Sequence, residues 1–223
     1  MFDCTTVVFQ HGDNYFLATP KIREHELDVS DPQTLNPQEI PIDDIFPRFE
    51  SNLTEFINTD RSDVFVKRPR ITGYKNSDHL SRLLLEEARI CERLLVSPHP
   101  NIARYRGCIT RDGRITGLCF DKYAETLWQR LNRGVKIGKR CIEQIEAGVQ
   151  HLHRLGHVHC DIGHQNTMFR ELDRDDVVII DFDSCVKEGR PLPTKGGTMP
   201  KGISVAAFSI DLLQIEEVRN LTI

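Results

Sequence analysis

The sequence predicts an α+β fold in which a small antiparallel sheet carrying one main helix precedes a mostly helical part. Strand-like runs separated by turn-forming residues dominate up to about residue 122, and one long amphipathic stretch interrupts them after residue 78. From Thr126 onward the apolar residues recur at helical spacing instead. The chain has 223 residues, 39% of them hydrophobic and 28% charged. Those proportions suit a globular protein with a real core, not a disordered or fibrous one.

Each element has its own signal. Thr6-Val7-Val8-Phe9 and Tyr15-Phe16-Leu17-Ala18 flank His11-Gly12-Asp13-Asn14 and read as a hairpin. Residues 28 to 48 hold Pro32, Pro37, Pro41 and Pro47 among acids and Asn, which predicts an irregular linker draped over the first part of the fold. Asp63-Val64-Phe65-Val66-Lys67 is a short strand stopped by Pro69. Asn76-Ser77-Asp78 offers capping residues for a helix whose Leu80, Leu83, Leu84, Ala88, Cys91, Leu94 and Leu95 form one apolar stripe, and Ser97-Pro98 ends it. The runs from Ile102 to Ile109 and from Ile115 to Phe120, joined through Arg111-Asp112-Gly113-Arg114, predict a second hairpin. Leu127, Trp128 and Leu131 belong to a short helix, while Ile142, Ile145, Val149 and Leu152 stripe a longer one that ends near Gly156. The expected division is an N-terminal hairpin and Pro-rich extension over residues 1–50, a sheet-and-helix part over 51–122, and a helical part over 123–223.

Charge and composition exclude several function classes. With 33 acidic side chains against 29 Lys and Arg, the net charge is −4, so no nucleic-acid partner held by bulk charge is expected. No apolar stretch is long enough to cross a bilayer, and Met1-Phe2-Asp3-Cys4 lacks the basic-then-apolar order of a secretory signal. The expectation is therefore no membrane and a cytoplasmic address, with the nucleus open by passive entry. The seven cysteines are odd in number and scattered singly, which reads as reduced thiols and neither a disulfide frame nor a zinc site. His151, His153, His157 and His159 invite a zinc reading, but side chains two apart on a helix, as at 151 and 153, diverge.

The segment richest in chemistry is His157-Val158-His159-Cys160-Asp161-Ile162-Gly163-His164-Gln165-Asn166, followed by the strand Val177-Val178-Ile179-Ile180 and by Asp181-Phe182-Asp183. An apolar strand ending in an acid, with Asp and Asn on the preceding loop, gives three oxygen-bearing side chains that can converge. Hard cations such as Mg²⁺ need that type of ligand. In these residues the sequence resembles the eukaryotic protein kinase family: His159-Cys160-Asp161 with Asn166 matches the catalytic loop, and Asp181-Phe182-Asp183 the metal motif. Val64-Phe65-Val66-Lys67 resembles the strand whose Lys contacts the nucleotide phosphates, and Glu87 the helix Glu that pairs with it, with Glu86 as the alternative register. His99-Pro100-Asn101-Ile102 resembles the turn leaving that helix, and Ser209-Ile210-Asp211-Leu212 the later helix whose Asp anchors the loop. The resemblance runs from about residue 60 to the C-terminus, and the spellings Ile180-Asp181-Phe182-Asp183-Ser184-Cys185 and Lys195-Gly196-Gly197-Thr198 look most like the divergent fungal members.

The resemblance implies a bilobal fold and phosphoryl transfer from ATP with Mg²⁺. Lys67 would hold the α- and β-phosphates, fixed by Glu87, and Asp161 would orient the accepting hydroxyl and take its proton. Asn166 and Asp181 would hold the metal, the adenine would lie against the backbone of Phe120, Asp121 and Tyr123, and His159 would pack beneath the loop. The partner implied is a protein, as substrate or as bound scaffold client.

Departures from the family's pattern are equally specific. No Gly occurs between Gly12 and Gly73, so the phosphate-cradling loop is missing or rebuilt from Asn58-Thr59-Asp60-Arg61-Ser62. Gly163 and Gln165 stand where kinases carry a cation after the catalytic Asp. Cys160 replaces the Arg that docks a phosphorylated segment, and Asp183 replaces the Gly of the metal motif. No Ala-Pro-Glu follows, and the resemblance implies a shortened C-terminal lobe that leaves Phe208, Leu212, Leu213 and Ile215 without their usual cover. Three functions compete on these grounds: a weak Ser/Thr-type protein kinase, an impaired pseudokinase serving as a binding scaffold, and, with least support, a small-molecule phosphotransferase.

Overall fold

A computed structural model describes residues 3–58 and 61–222. Strands β1 (Val7–His11) and β2 (Asn14–Ala18) form the first hairpin, paired from Val7 with Ala18 to His11 with Asn14. The linker expectation for residues 28 to 48 needs correction. Gln38–Ile40 is a third strand, β3, antiparallel to β2, and helix α1 (Ile42–Ile45) follows directly from Pro41. A three-residue strand tolerates Pro37 and Pro41 at its ends because it lies at the sheet's edge, where a missing N–H costs no ladder bond. Ile40, Ile45 and Phe46 are buried, so this segment contributes to the main core and does not merely cover it.

The second sheet has the order β4-β6-β5, built from β4 (Val64–Lys67), β5 (Tyr105–Arg111) and β6 (Arg114–Asp121), all antiparallel. Helix α2 (His79–Val96) buries Leu80, Leu84, Ala88, Cys91 and Leu94 on one face. Its capping differs from expectation. Asp78 makes no side-chain cap bond, and Asn76 takes a left-handed φ of 52°. The Asp78 carbonyl accepts from Arg82 N–H at 2.9 Å instead, and its carboxylate pairs with the same arginine one turn on.

The N-terminal segment grips this sheet and helix at several points. Arg111 pairs with Asp13 at 2.6 Å and Arg114 with Asp43, both from the β5–β6 turn. On α2, Arg89 holds Glu50 at 2.6 Å, while Glu92 accepts from both the N–H and the hydroxyl of Thr54 at 2.7 and 2.9 Å.

The chain then turns helical. The two-residue strand β7 (Glu125–Thr126) leads into α3 (Leu127–Asn132), whose Thr126 and Gln129 complete a reciprocal capping box. Helix α4 (Lys139–Arg154) buries Ile142, Ile145, Val149 and Leu152. Short strands β8 (His157–Val158), β9 (Thr167–Phe169), β10 (Val177–Ile179) and β11 (Val186–Lys187) frame the loops, pairing as β10-β9-β7 and β11-β8. Helix α5 (Phe208–Thr222) closes the described chain.

One hydrophobic cluster extends from Ile40 through α2, the second sheet and α4 to Val218. The uncovered face expected on α5 is smaller than the sequence suggests. Ile215 and Val218 are each 2% exposed, and Phe208 stacks on the His153 ring at 4.2 Å. Leu213 is half-buried and Leu212 is 54% exposed. Among the described residues no helix is long and apolar enough to cross a membrane.

Candidate active site

The residues singled out in the sequence come together where β4, α2 and the loop after β10 meet. β4 projects Lys67 toward α2, and Lys67 Nζ donates to both oxygens of Glu87 at 2.7 Å. Of the two adjacent acids, Glu87 is buried at 2% exposure whereas Glu86 is exposed beside Arg89. Lys67 also pairs directly with Asp181 and lies 3.6 Å from Asp183. Glu87 Oε1 accepts from the Phe182 N–H at 3.2 Å as well, tying α2 to the segment after β10.

Electrostatics at this cluster follow from burial set against charge. Burial opposes the Lys67 ammonium, yet Glu87, Asp181 and Asp183 together hold its pKa above the ordinary lysine range. Burial pushes the Glu87 carboxyl up, and the Lys67 ammonium draws part of that back. Burial also works against an ionised Asp181, but Lys67, aided by Lys195, brings its pKa down to about 2. Asp181 is therefore ionised beside the Lys67 and Lys195 ammonium groups at neutral pH.

The loop between β8 and β9 is positioned by α5. Asp211, fully buried, accepts N–H bonds from His159 at 2.9 Å and Cys160 at 2.8 Å, and its Oδ2 lies 2.8 Å from His153 Nε2. Gln214, one turn on, accepts from the Ile162 N–H at 2.7 Å and donates to the Cys160 and Thr198 carbonyls at 3.0 and 2.9 Å. Nothing in the loop's own sequence points to Gln214. Its only signal is the spacing of three from Asp211, which puts both on one helix face. His159 is completely buried beneath the loop. Its Nε2 lies 3.1 Å from the Ile180 carbonyl, and its Nδ1 accepts the Asp161 N–H at 3.3 Å.

Cys160 and Asp181 both adopt φ of 64°, a left-handed conformation that costs a non-glycine residue roughly 1 kcal/mol or more. At Cys160, the bonds from Asp211 and Gln214 hold the residue in it. Asn166 Nδ2 donates to the Asp161 carbonyl at 2.9 Å and to its carboxylate at 2.8 Å, which leaves Oδ1 as the amide's acceptor. Asn166 and Asp181 are joined through the backbone, the Ile180 N–H donating to the Asn166 carbonyl at 2.9 Å.

A second cation arrives from an unanticipated direction. Lys195, in the segment after β11, donates to Asp183 at 2.7 Å and lies 3.5 Å from Asp181 Oδ2. Its sequence context, Lys195-Gly196-Gly197, was the only visible signal.

Of the other anticipated residues, Phe120 is 7% exposed between Phe65 on β4 and Tyr105 on β5. Asp121 pairs with Arg106, and the Tyr123 hydroxyl accepts from Arg104 N–H at 2.9 Å. Thr59 and Asp60, in the expected phosphate cradle, lie outside the described residues; next to them Arg61 forks onto Asp63 at 2.8 and 2.6 Å. His151 bonds the Ser97 carbonyl at 2.7 Å and faces away from His153.

The donor set suits Mg²⁺. Among the described residues there is no group of three or more Asp, Glu, His or Cys ligands. Mg²⁺ does not need one, being held typically by one or two carboxylates together with substrate phosphates and water. Asp181, countered by two ammonium groups, and Asn166, whose Oδ1 is its acceptor, have the oxygen character for that role, and Asp183 adds a further carboxylate beside them.

Comparison with known proteins adds one finding. A family model described as protein kinase domain matches residues 52–198. No curated protein matches the chain.

Proposed function

The chain belongs to the protein kinase domain family, and from that premise we propose that it transfers the γ-phosphoryl group of Mg-ATP weakly to protein hydroxyls, as a divergent, fungal-type member with two lobes around the nucleotide. The observation that carries this reading is the Lys67–Glu87–Asp181 cluster, assembled from residues 67, 87 and 181 with Nζ bonded to both acids.

In this reading Lys67 holds the α- and β-phosphate oxygens and Glu87 keeps its side chain in place. Asp181 and Asn166 hold Mg²⁺, which offsets phosphate charge, and Phe120, Asp121 and Tyr123 border the adenine. Asp161 orients the acceptor hydroxyl. As the hydroxyl oxygen bonds to phosphorus, its proton passes to Asp161, and the bond to ADP breaks with its electron pair leaving on ADP.

A scaffold reading has its own support in the stretch without glycine before β4 and in Gly163 and Gln165 at the positions where a loop cation is usual. Mg-ATP affinity between micromolar and millimolar is the expectation for a site with metal acids but no glycine cradle. Thermal shift with Mg-ATP tests it, with Asp181→Asn as control. No shift at millimolar nucleotide overturns the enzyme reading. Transfer of labelled phosphate that disappears in Asp161→Ala separates enzyme from scaffold.

A further inference from the structure

The catalytic loop carries Gly163 and Gln165 where a cation would face the transferring phosphoryl group. The structure brings an ammonium to the same neighbourhood from another segment. Lys195 Nζ is 2.7 Å from Asp183 and 3.5 Å from Asp181 Oδ2, while Lys67 occupies the other oxygen of Asp181. The two lysines thus approach Asp181 through different oxygens and meet at Oδ2 of Asp183, where Lys195 is the nearer at 2.7 Å against 3.6 Å for Lys67.

The backbone that carries Lys195 is clamped onto the loop. Gly197 N–H donates to the Cys160 carbonyl at 2.9 Å, and the Thr198 carbonyl accepts from Gln214 at 2.9 Å. A Cβ on Gly196 would sit 2.9 Å from the Cys160 carbonyl oxygen, and one on Gly197 would sit 3.2 Å from Asp161 Oδ1 and 2.9 Å from Gln214 Nε2. At Gly196 the obstacle is the loop's backbone, so only glycine permits that approach, whereas at Gly197 a Cβ would press on the ends of the Asp161 and Gln214 side chains. Lys195 therefore belongs to a segment whose next two residues pass Cys160 and Asp161, and its own ammonium ends at Asp181 and Asp183. Its side chain is 52% exposed, so it is free to swing from the carboxylates onto a ligand's oxygens.

We propose that Lys195 is the cation of the transfer step, contacting the γ-phosphate oxygens of Mg-ATP in place of the missing loop cation. The assignment rests on the phosphotransfer reading above. Lys195 keeps its proton throughout, and its charge stabilises the negative charge on the phosphoryl oxygens during transfer.

Two readouts test it in the full chain with Mg²⁺: affinities for ATP and ADP by calorimetry, and transfer of labelled phosphate. Lys195→Met is expected to weaken ATP by about tenfold and leave ADP within about twofold, as for loss of one charge-assisted contact to the terminal phosphate. Transfer at saturating ATP is expected to fall by about a hundredfold, and Lys195→Arg to recover most of it. A lysine at position 163 meets nothing within 4 Å of its Cβ. Gly163→Lys is therefore expected to restore transfer at least partly in the Lys195→Met background, which a merely structural role for Lys195 does not predict.

An ATP-to-ADP affinity ratio unchanged by Lys195→Met overturns the proposal, whatever the transfer rate. So does tighter Mg²⁺ binding with undiminished transfer, which would make Lys195 a counter-ion resting on the metal acids. If the unmodified protein binds neither nucleotide, the phosphotransfer reading itself falls and takes this one with it. Nucleotide binding with an unchanged ratio sinks the Lys195 assignment alone.

Discussion

Lys67 and Glu87 grip each other through both carboxylate oxygens at 2.7 Å, with Glu87 only 2% exposed. Removing the ammonium would leave Glu87 buried and unpaired near two further carboxylates. Lys67→Met is therefore expected to destabilise the protein by about 3 kcal/mol, and chemical denaturation checks it. A double variant that also carries Glu87→Met should recover part of the loss, because the buried charge is gone.

Arg130 on α3 is 2% exposed and saturated with acceptors: Glu125 at 2.8 Å and the carbonyls of Glu171, Leu172 and Arg174 at 3.0, 2.6 and 2.9 Å. Its guanidinium carbon also lies 3.4 Å over the Phe169 ring. Lysine cannot reproduce that fork. Arg130→Lys is expected to cost about 2 kcal/mol or more. Amide exchange should speed up across residues 170–176, with nucleotide affinity unchanged.

The pH response near neutrality should be governed in part by His157, which is 5% exposed. Its Nδ1 donates to the Leu155 carbonyl at 2.9 Å and its Nε2 faces Arg93 at 3.0 Å, an arrangement that suits the neutral ring. Burial, with Arg93 and Lys187 adding, lowers its pKa from 6.5. The unfolded chain therefore binds this proton at a higher pH than the folded one. The stability His157 contributes is present above pH 6.5 and declines as pH falls below it. Melting temperatures between pH 7.5 and 5.5 should drop, and the drop should shrink in His157→Gln.

Six of the seven cysteines are buried and Cys4 is exposed. Burial pushes the thiol of Cys160 up to about 12 and those of Cys91 and Cys185 well above the usual range, so none is a ready nucleophile. Native alkylation followed by mass spectrometry is expected to give one adduct, at Cys4, and seven after denaturation. Rapid native labelling at Cys160 would contradict the packing of the loop.

Local pattern makes the two hairpins, α2 and α4 legible in the sequence, because their apolar residues repeat at the period of the element they form. What escapes it is decided by partners distant along the chain. β3 exists because β2 offers an edge, and Gln38-Glu39-Ile40 between two prolines carries no strand signal alone. Lys67, Glu87 and Asp181 can be picked out as motif members, and the structure sets them side by side. Lys195 and Gln214 are far less legible, since the bonds they make to Asp181, Asp183, Cys160 and Ile162 join segments distant along the chain. Asp78 shows the opposite failure: a residue with cap chemistry sits at the helix start without using it.

Asp211 and Gln214 hold a loop made some fifty residues earlier, through bonds to His159, Cys160 and Ile162. During synthesis, every motif from Lys67 to Asp181 therefore leaves the ribosome before the two side chains that give the loop its shape. A nascent chain halted ahead of α5 would contain the whole vocabulary of the site in an arrangement still unset, and α5 acts as the clasp that fastens it.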